Sequence, residues 1–195
     1  MGDLAGLLSR RGKNAEAEAL ALAALGIGQR ASGPRHMNVS GFYELLSVVY
    51  RRAARFGDAE RMVREQLAIL ESIVGRSHPA YAAALSIRSD LLTELQRYDD
   101  AIAARRQVME IRRRAFGPGK ALEGIDLAKL ARVYALKGRY ATADSLFRDA
   151  LANQRRYVPD THPDVREIYG AMSERYRLEG RRGEARQYAL LARPR

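Results

Sequence analysis

Between residues 127 and 151 the apolar positions repeat with the period of an α-helix, twice over. In LAKLARVYALKGRY, Leu127, Leu130, Ala131 and Tyr134 fall at i, i+3, i+4 and i+7, which is one face of a helix. In ATADSLFRDAL, Ala143, Leu146, Phe147, Ala150 and Leu151 repeat that spacing. KGRY lies between them, and its Gly138 can end the first helix at a positive φ. The pattern predicts a helical hairpin.

The hairpin recurs with a period of 42 residues. RSHPAY at 76 to 81 returns as DTHPDV at 160 to 165, and the same register holds His36 in GPRHMN and Lys120 in GPGKAL. Alanine occupies one column without interruption: Ala17, Ala59, Ala101, Ala143 and Ala185. Four residues before it run Lys13, Arg55, Arg97, Arg139 and Arg181, followed directly by Asn14, Phe56, Tyr98, Tyr140 and Arg182. A further column reads Gly33, Gly75, Gly117 and Pro159. These glycines are placed to close each second helix, and Pro79 and Pro163 suit the first turn of the next, where a missing N–H costs nothing. The alanines let paired helices approach, with Tyr50 or Tyr134 filling the facing space. A hairpin of this kind cannot bury both faces alone, so successive hairpins stack. The repeats run approximately 1–35, 36–77, 78–119, 120–161 and 162–195 within one domain, 1–195.

Composition narrows the chemistry. With 195 residues, 47% hydrophobic and 29% charged, the chain can bury a sizeable core. The absence of cysteine excludes disulfides, thiolate metal sites and a cysteine nucleophile. The longest apolar run, ALALAALGIG at 19 to 28, is too short to span a bilayer, and MGDLAG has Gly6 where a myristoylation signal needs Ser or Thr. A soluble, cytoplasmic protein is expected. No phosphate-loop, zinc-hydrolase, nucleophile-elbow or dinucleotide motif occurs, and GPGK at 117 to 120 belongs to the linker column. The three histidines stand one or two periods apart at helix starts, too far apart to share a metal. No catalytic residue, cofactor or metal is expected.

The net charge of +11 comes from 30 Arg and 4 Lys against 23 acidic residues, scattered through every predicted helix, with RRRAF at 112 to 116 the one dense cluster. Charge of this sign suits an acidic partner or a nucleic acid if it gathers on one face, and a solvated surface otherwise. Arg88 and Arg105 stand in columns that are mostly apolar elsewhere. Their long stems either pack along the core with the heads in water or enter a buried ion pair.

The order Leu127, Leu130, Ala131, Tyr134, Ala143, Phe147, Ala150 resembles the tetratricopeptide repeat (TPR), and the 42-residue period with its HP start and GRY turn resembles the variant of kinesin light chains. The resemblance covers the whole chain. It implies an all-α fold: a right-handed α-α superhelix, a TPR solenoid, of about four and a half hairpins. It also implies a concave groove lined by the first helices, a role in binding peptides or proteins, and no activity. Similar arrays form the tails of bacterial serine/threonine kinases and signalling ATPases, so the chain is read as a non-catalytic scaffold or adaptor, and as a candidate TPR portion of such a signalling protein. Kinesin light chains place an asparagine pair before the second leucine of the first helix. Here those slots read Glu44-Leu45, Ser86-Ile87, Ala128-Lys129 and Gly170-Ala171, so that mode of gripping a peptide does not carry over.

The groove expected from residues opposite the hairpin core contains Leu45, Val48 and Arg52, then Ile87, Asp90 and Glu94, then Ile125, Lys129 and Arg132, then Glu174. Its floor is apolar near Leu45, Val48, Ile87 and Ile125, and its charges are of both signs. A basic helical module binding RNA or DNA is the alternative. Mixed signs, 7% aromatic residues and no aromatic-interleaved basic run favour a protein ligand. Leu4, Leu7 and Leu8 stand on an opening helix with no preceding hairpin to cover them. That edge is expected to meet further repeats of a longer protein or a second copy of the chain.

Overall fold

The computed structural model describes residues 1–194, which form ten α-helices and no strand. They pair as α1 (Gly2–Arg10) with α2 (Asn14–Ser32), α3 (Met37–Arg52) with α4 (Phe56–Val74), α5 (Pro79–Glu94), α6 (Tyr98–Phe116), α7 (Ala121–Leu136) with α8 (Tyr140–Gln154), and α9 (Pro163–Leu178) with α10 (Arg182–Leu191). Two compact units result, one of α1–α5 over residues 1–95 and one of α6–α10 from Gln96 onward. In the first, Ala5, Ala21, Leu25, Val39, Leu46, Tyr50, Ala59 and Ile69 make the core. In the second, Ala131, Ala143, Phe147, Ala150, Leu151, Val165, Ile168 and Met172 do. Every member of the alanine column is buried.

Three first helices start on a histidine side chain. Nδ1 of His36, His78 and His162 accepts the N–H of Asn38, Ala80 and Asp164 at 3.2, 3.1 and 3.3 Å, filling one donor that a helix start leaves open. Pro79 and Pro163 follow as the first helical residues. At Lys120 no side chain caps the helix. There the Glu123 carboxylate reaches back to the Gly119 N–H, and Arg113 pairs with the same carboxylate.

Each second helix begins without a side-chain cap, after a basic residue. Lys13, Arg55, Arg97 and Arg181 instead pair with the acid three residues on, Glu16, Asp58, Asp100 and Glu184. Those acids also sit well against the positive end of the helix dipole. The turn before these starts needs a positive φ, and Gly12, Gly138 and Gly180 supply it. Ala54 and Gln96 hold the same slot at φ 57° and 59°, where a Cβ is strained.

The second helices α2, α4 and α6 stop at Gly33, Gly75 and Gly117, with φ between 80° and 84°. Helix α8 stops early, at Gln154. Pro159 occupies the glycine slot and cannot take a positive φ, and the residue before a proline avoids the helical region.

Candidate partner-binding faces

In the first unit, Leu45, Val48, Ile87 and Asp90 are half-buried, and Arg52 and Glu94 are exposed. Leu45 lies against α1, where a Cβ added to Gly6 would stand 3.9 Å from its Cδ1. This residue therefore packs on the neighbouring first helix as well as facing outward. Arg51 of α3 approaches Glu94 of α5 at 3.9 Å, one residue out of register, since the slot equivalent to Glu94 holds Arg52.

In the second unit, Ile125, Lys129 and Glu174 are half-buried and Arg132 is exposed. Arg132 Nε donates to Glu174 Oε2 at 3.1 Å, joining α7 to α9. The two residues stand 42 positions apart, in equivalent repeats. The second unit thus brings equivalent first-helix slots together and the first brings adjacent ones, with charges of both signs beside half-buried aliphatic side chains.

Other arginines behave differently from the solvated reading of their long stems. Arg105 is 0% exposed, and its Nη1 lies 3.4 Å from Asp126 Oδ1. Arg112 donates to both oxygens of Asp126 at 2.8 Å. For Arg105 the buried ion pair is what forms, and Arg112 is half-buried structure rather than part of an exposed basic run. Arg88 is half-buried. Arg175, also buried, pairs with Asp144 at 2.6 Å and with Glu179, and lies 4.2 Å from the Tyr176 ring. Burial pushes the Asp144 carboxyl upward, against the pull of Arg175.

Exposed pairs shift their carboxylates the other way. The hydrogen bond from Arg113 holds Glu123 below its ordinary value, and that from Arg155 holds Asp160 below its own.

A cleft of about 400 Å³ opens in the second unit over α7, between α6 and α8. Leu127, Leu130, Tyr134, Leu146 and Met109 line its floor, with Arg106, Glu110 and Arg113 at the rim. One repeat further on, the slots of Leu127, Tyr134 and Leu146 hold Tyr169, Tyr176 and Tyr188. Tyr188 stacks at 6.2 Å on Tyr169 and at 5.3 Å on Tyr176. Two of these three slots thus change from leucine over the cleft to tyrosine in the following repeat. Among the described residues, no group of three His, Cys, Asp or Glu side chains could hold a metal, and no helix is long and apolar enough to cross a membrane.

Helical hairpins repeating in this way define a helical-repeat protein of the TPR solenoid class. The chain belongs to the tetratricopeptide repeat family, whose sequence profile matches at residues 1–72, 42–114, 80–156 and 127–194. No curated protein matches it. Among solved structures, a Podosopora anserina putative kinesin light chain with nearly identical TPR-like repeats is similar at TM-score 0.77 and 19% identity, over 98% of this chain and 90% of that one. BtubC (BKLC) from P. vanneervenii is similar at TM-score 0.77 and 20% identity, over 97% of this chain and 75% of that one. At these identities the likeness is one of fold, of the kinesin-light-chain-like kind. TPR folds are generally protein-interaction scaffolds.

Proposed function

We propose that the chain is a non-catalytic scaffold that binds a protein or peptide along the exposed face of its first helices, through Leu45, Val48, Arg52, Ile87, Asp90 and Glu94 in one unit and Ile125, Lys129, Arg132 and Glu174 in the other. The observation that supports it is the Arg132–Glu174 contact, which sets equivalent slots of successive first helices side by side with opposite charges exposed. Half-buried aliphatic residues beside such pairs offer area for adhesion, and the charges select the partner and steer its approach. A place in a larger signalling protein, such as a serine/threonine kinase, fits a module of this kind.

The nucleic-acid reading is weaker. The first 95 residues carry 12 basic and 10 acidic side chains, and the remainder carry 22 and 13. The excess lies in the second unit; Arg105, Arg112, Arg113, Arg155 and Arg175 are engaged by carboxylates there, so a nucleic acid would have to be held by that unit's other basic side chains. Phosphates need unengaged cations on one face.

The test compares capture from lysate of the source cells by the parent and by an Ile87→Ser, Ile125→Ser double variant, with and without nuclease. Protein captured by the parent in the presence of nuclease, and lost from the variant at unchanged helical content, supports the scaffold. Capture that nuclease abolishes, or that moderate salt collapses, moves the function to nucleic acid.

A further inference from the structure

The cleft over α7 has a filled counterpart over α9 in the same unit, and the 42-residue register allows the two to be compared slot by slot. Over α9 the slots of Leu127, Tyr134 and Leu146 hold three tyrosines. The Tyr188 ring lies 5.3 Å from that of Tyr176 with 2° between their planes, and 6.2 Å from that of Tyr169. Both distances fall in the range that stacked aromatic pairs prefer. Over α7 the ring of Tyr134 is kept, and the other two slots hold leucine. An opening of about 400 Å³ stands there, walled by α6 and α8 of the same unit. Met109, Leu127, Tyr134 and Leu146 are half-buried around it.

The lining selects the occupant. At the rim Arg113 is paired with Glu123 and Glu110 with Arg114, while Arg106 donates to the Tyr134 hydroxyl at 2.7 Å. That bond anchors the one ring retained, at the slot where Tyr176 carries the Tyr188 ring in the next repeat. With rim charges of both signs already engaged, the apolar floor favours a neutral group. Its volume is that of a small-ligand pocket, which takes a ring together with the main chain on either side of it. We infer that the cleft is a docking site for an aromatic side chain of a partner polypeptide, whose ring stacks on Tyr134 as the Tyr188 ring does on Tyr176. Leu127, Leu130 and Tyr134 lie on the opposite side of α7 from Ile125, Lys129 and Arg132, so this site is separate from the first-helix face.

Random peptides displayed on phage, selected on the immobilised 195-residue chain and counter-selected on its Leu146→Tyr variant, test this. The variant copies Tyr188 and fills the cleft from within. Surviving peptides are expected to share an aromatic residue, and its replacement by alanine in the synthetic peptide should weaken binding about tenfold or more. Leu127→Tyr copies Tyr43 and Tyr169, fills the cleft from its floor and should weaken the same peptides comparably, with helical content read for both variants. In the unaltered chain, methyl resonances of Met109, Leu127 and Leu146 should shift on adding the peptide, and those of Ile87 and Ile125 should not. Ile87→Ser with Ile125→Ser should leave the peptide's affinity unchanged, which separates failure of this site from failure of the first-helix face. The inference is overturned if no peptide distinguishes the parent from the filled variants, if the surviving peptides share no aromatic residue, or if the shifts fall at Ile87 and Ile125 instead.

Discussion

Val63 and Ala84 occupy, in the first unit, the pair of slots that Arg105 and Asp126 occupy in the second. One repeat later the same pair is Phe147 and Ile168. All six residues are buried. The slots join a second helix to the first helix that follows it, so one architectural position is filled once by small aliphatic groups, once by a large aromatic and aliphatic pair and once by an ion pair. The comparison shows that the repeat specifies shape at this junction, and that an arginine is admitted only when a carboxylate arrives opposite. The same exchange recurs at Arg175, whose slot holds Val49, Leu91 and Val133 in earlier repeats, and which meets Asp144 and Glu179. It follows that part of the second unit's arginine content is internal, so that counting basic residues overstates the cations on offer to an anionic partner, while the excess of 22 basic over 13 acidic side chains is unchanged by pairs that cancel.

The largest expected effect comes from breaking one ion pair. Asp126→Ala leaves Arg105 buried without its carboxylate and should cost about 3–5 kcal/mol in urea unfolding. Converting all three partners to the residues of the next repeat, Arg105→Phe and Asp126→Ile with Arg112→Gln so that the second arginine is not left without its carboxylate, should return stability to within about 1 kcal/mol of the parent or raise it by about 1–4 kcal/mol. A triple variant as unstable as the single one would show that the slots are not equivalent.

The alanine column should behave alike in both units. Ala59→Leu and Ala143→Leu each overpack a buried contact and should cost about 1–3 kcal/mol. A difference larger than that range would show that the units pack their hairpins differently.

The positive-φ turn separates repeats within each unit by sign, since Gly12 and Ala54 hold it in the first and Gln96, Gly138 and Gly180 in the second. Gly138→Ala should destabilise by about 1–2 kcal/mol, whereas Ala54→Gly relieves the same strain and should stabilise by about 0.5–1 kcal/mol after the entropy gained by the unfolded chain. Thermal melts of the two variants read both signs.

Period, hairpins, the stop at Gly138 and the helix starts were legible because each recurs in register, and a column of five residues states a constraint that no single residue could. The buried ion pair was not legible as a pair. Arg105 departs from its column visibly, but Asp126 stands 21 residues away in the next repeat, and only the packing of α6 on α7 joins them. The cap by histidine was hidden behind the proline next to it, since two of the three starts carry both residues. The pairing of Arg132 with Glu174 followed from the repeat itself, because equivalent slots of successive first helices must be neighbours once hairpins stack. The cleft over α7 was missed because it depends on the size of side chains from three helices together.

A smaller effect is expected from pH. Glu123 and Asp160 have folded values held below those of the unfolded chain, so the stability they contribute is complete above the unfolded value and is lost as pH falls through the folded one. The value of Asp144 is raised, so protonating it as pH falls offsets part of that loss. Carboxyl carbon NMR titrations should place Glu123 and Asp160 below ordinary carboxylates, and Arg113→Gln and Arg155→Gln should each move the respective partner back up.

The central claim is that the first-helix face, and not the basic second-helix surface, holds the partner. Photo-crosslinking amino acids placed at Val48, Ile87 and Arg132, with matched controls at Arg64 and Arg148 on the second helices, test it most directly in lysate of the source cells. The account predicts that the same protein is crosslinked from the three first-helix positions and from neither control, with nuclease present. Crosslinks confined to Arg64 and Arg148, or recovered only as nucleic acid, would contradict it.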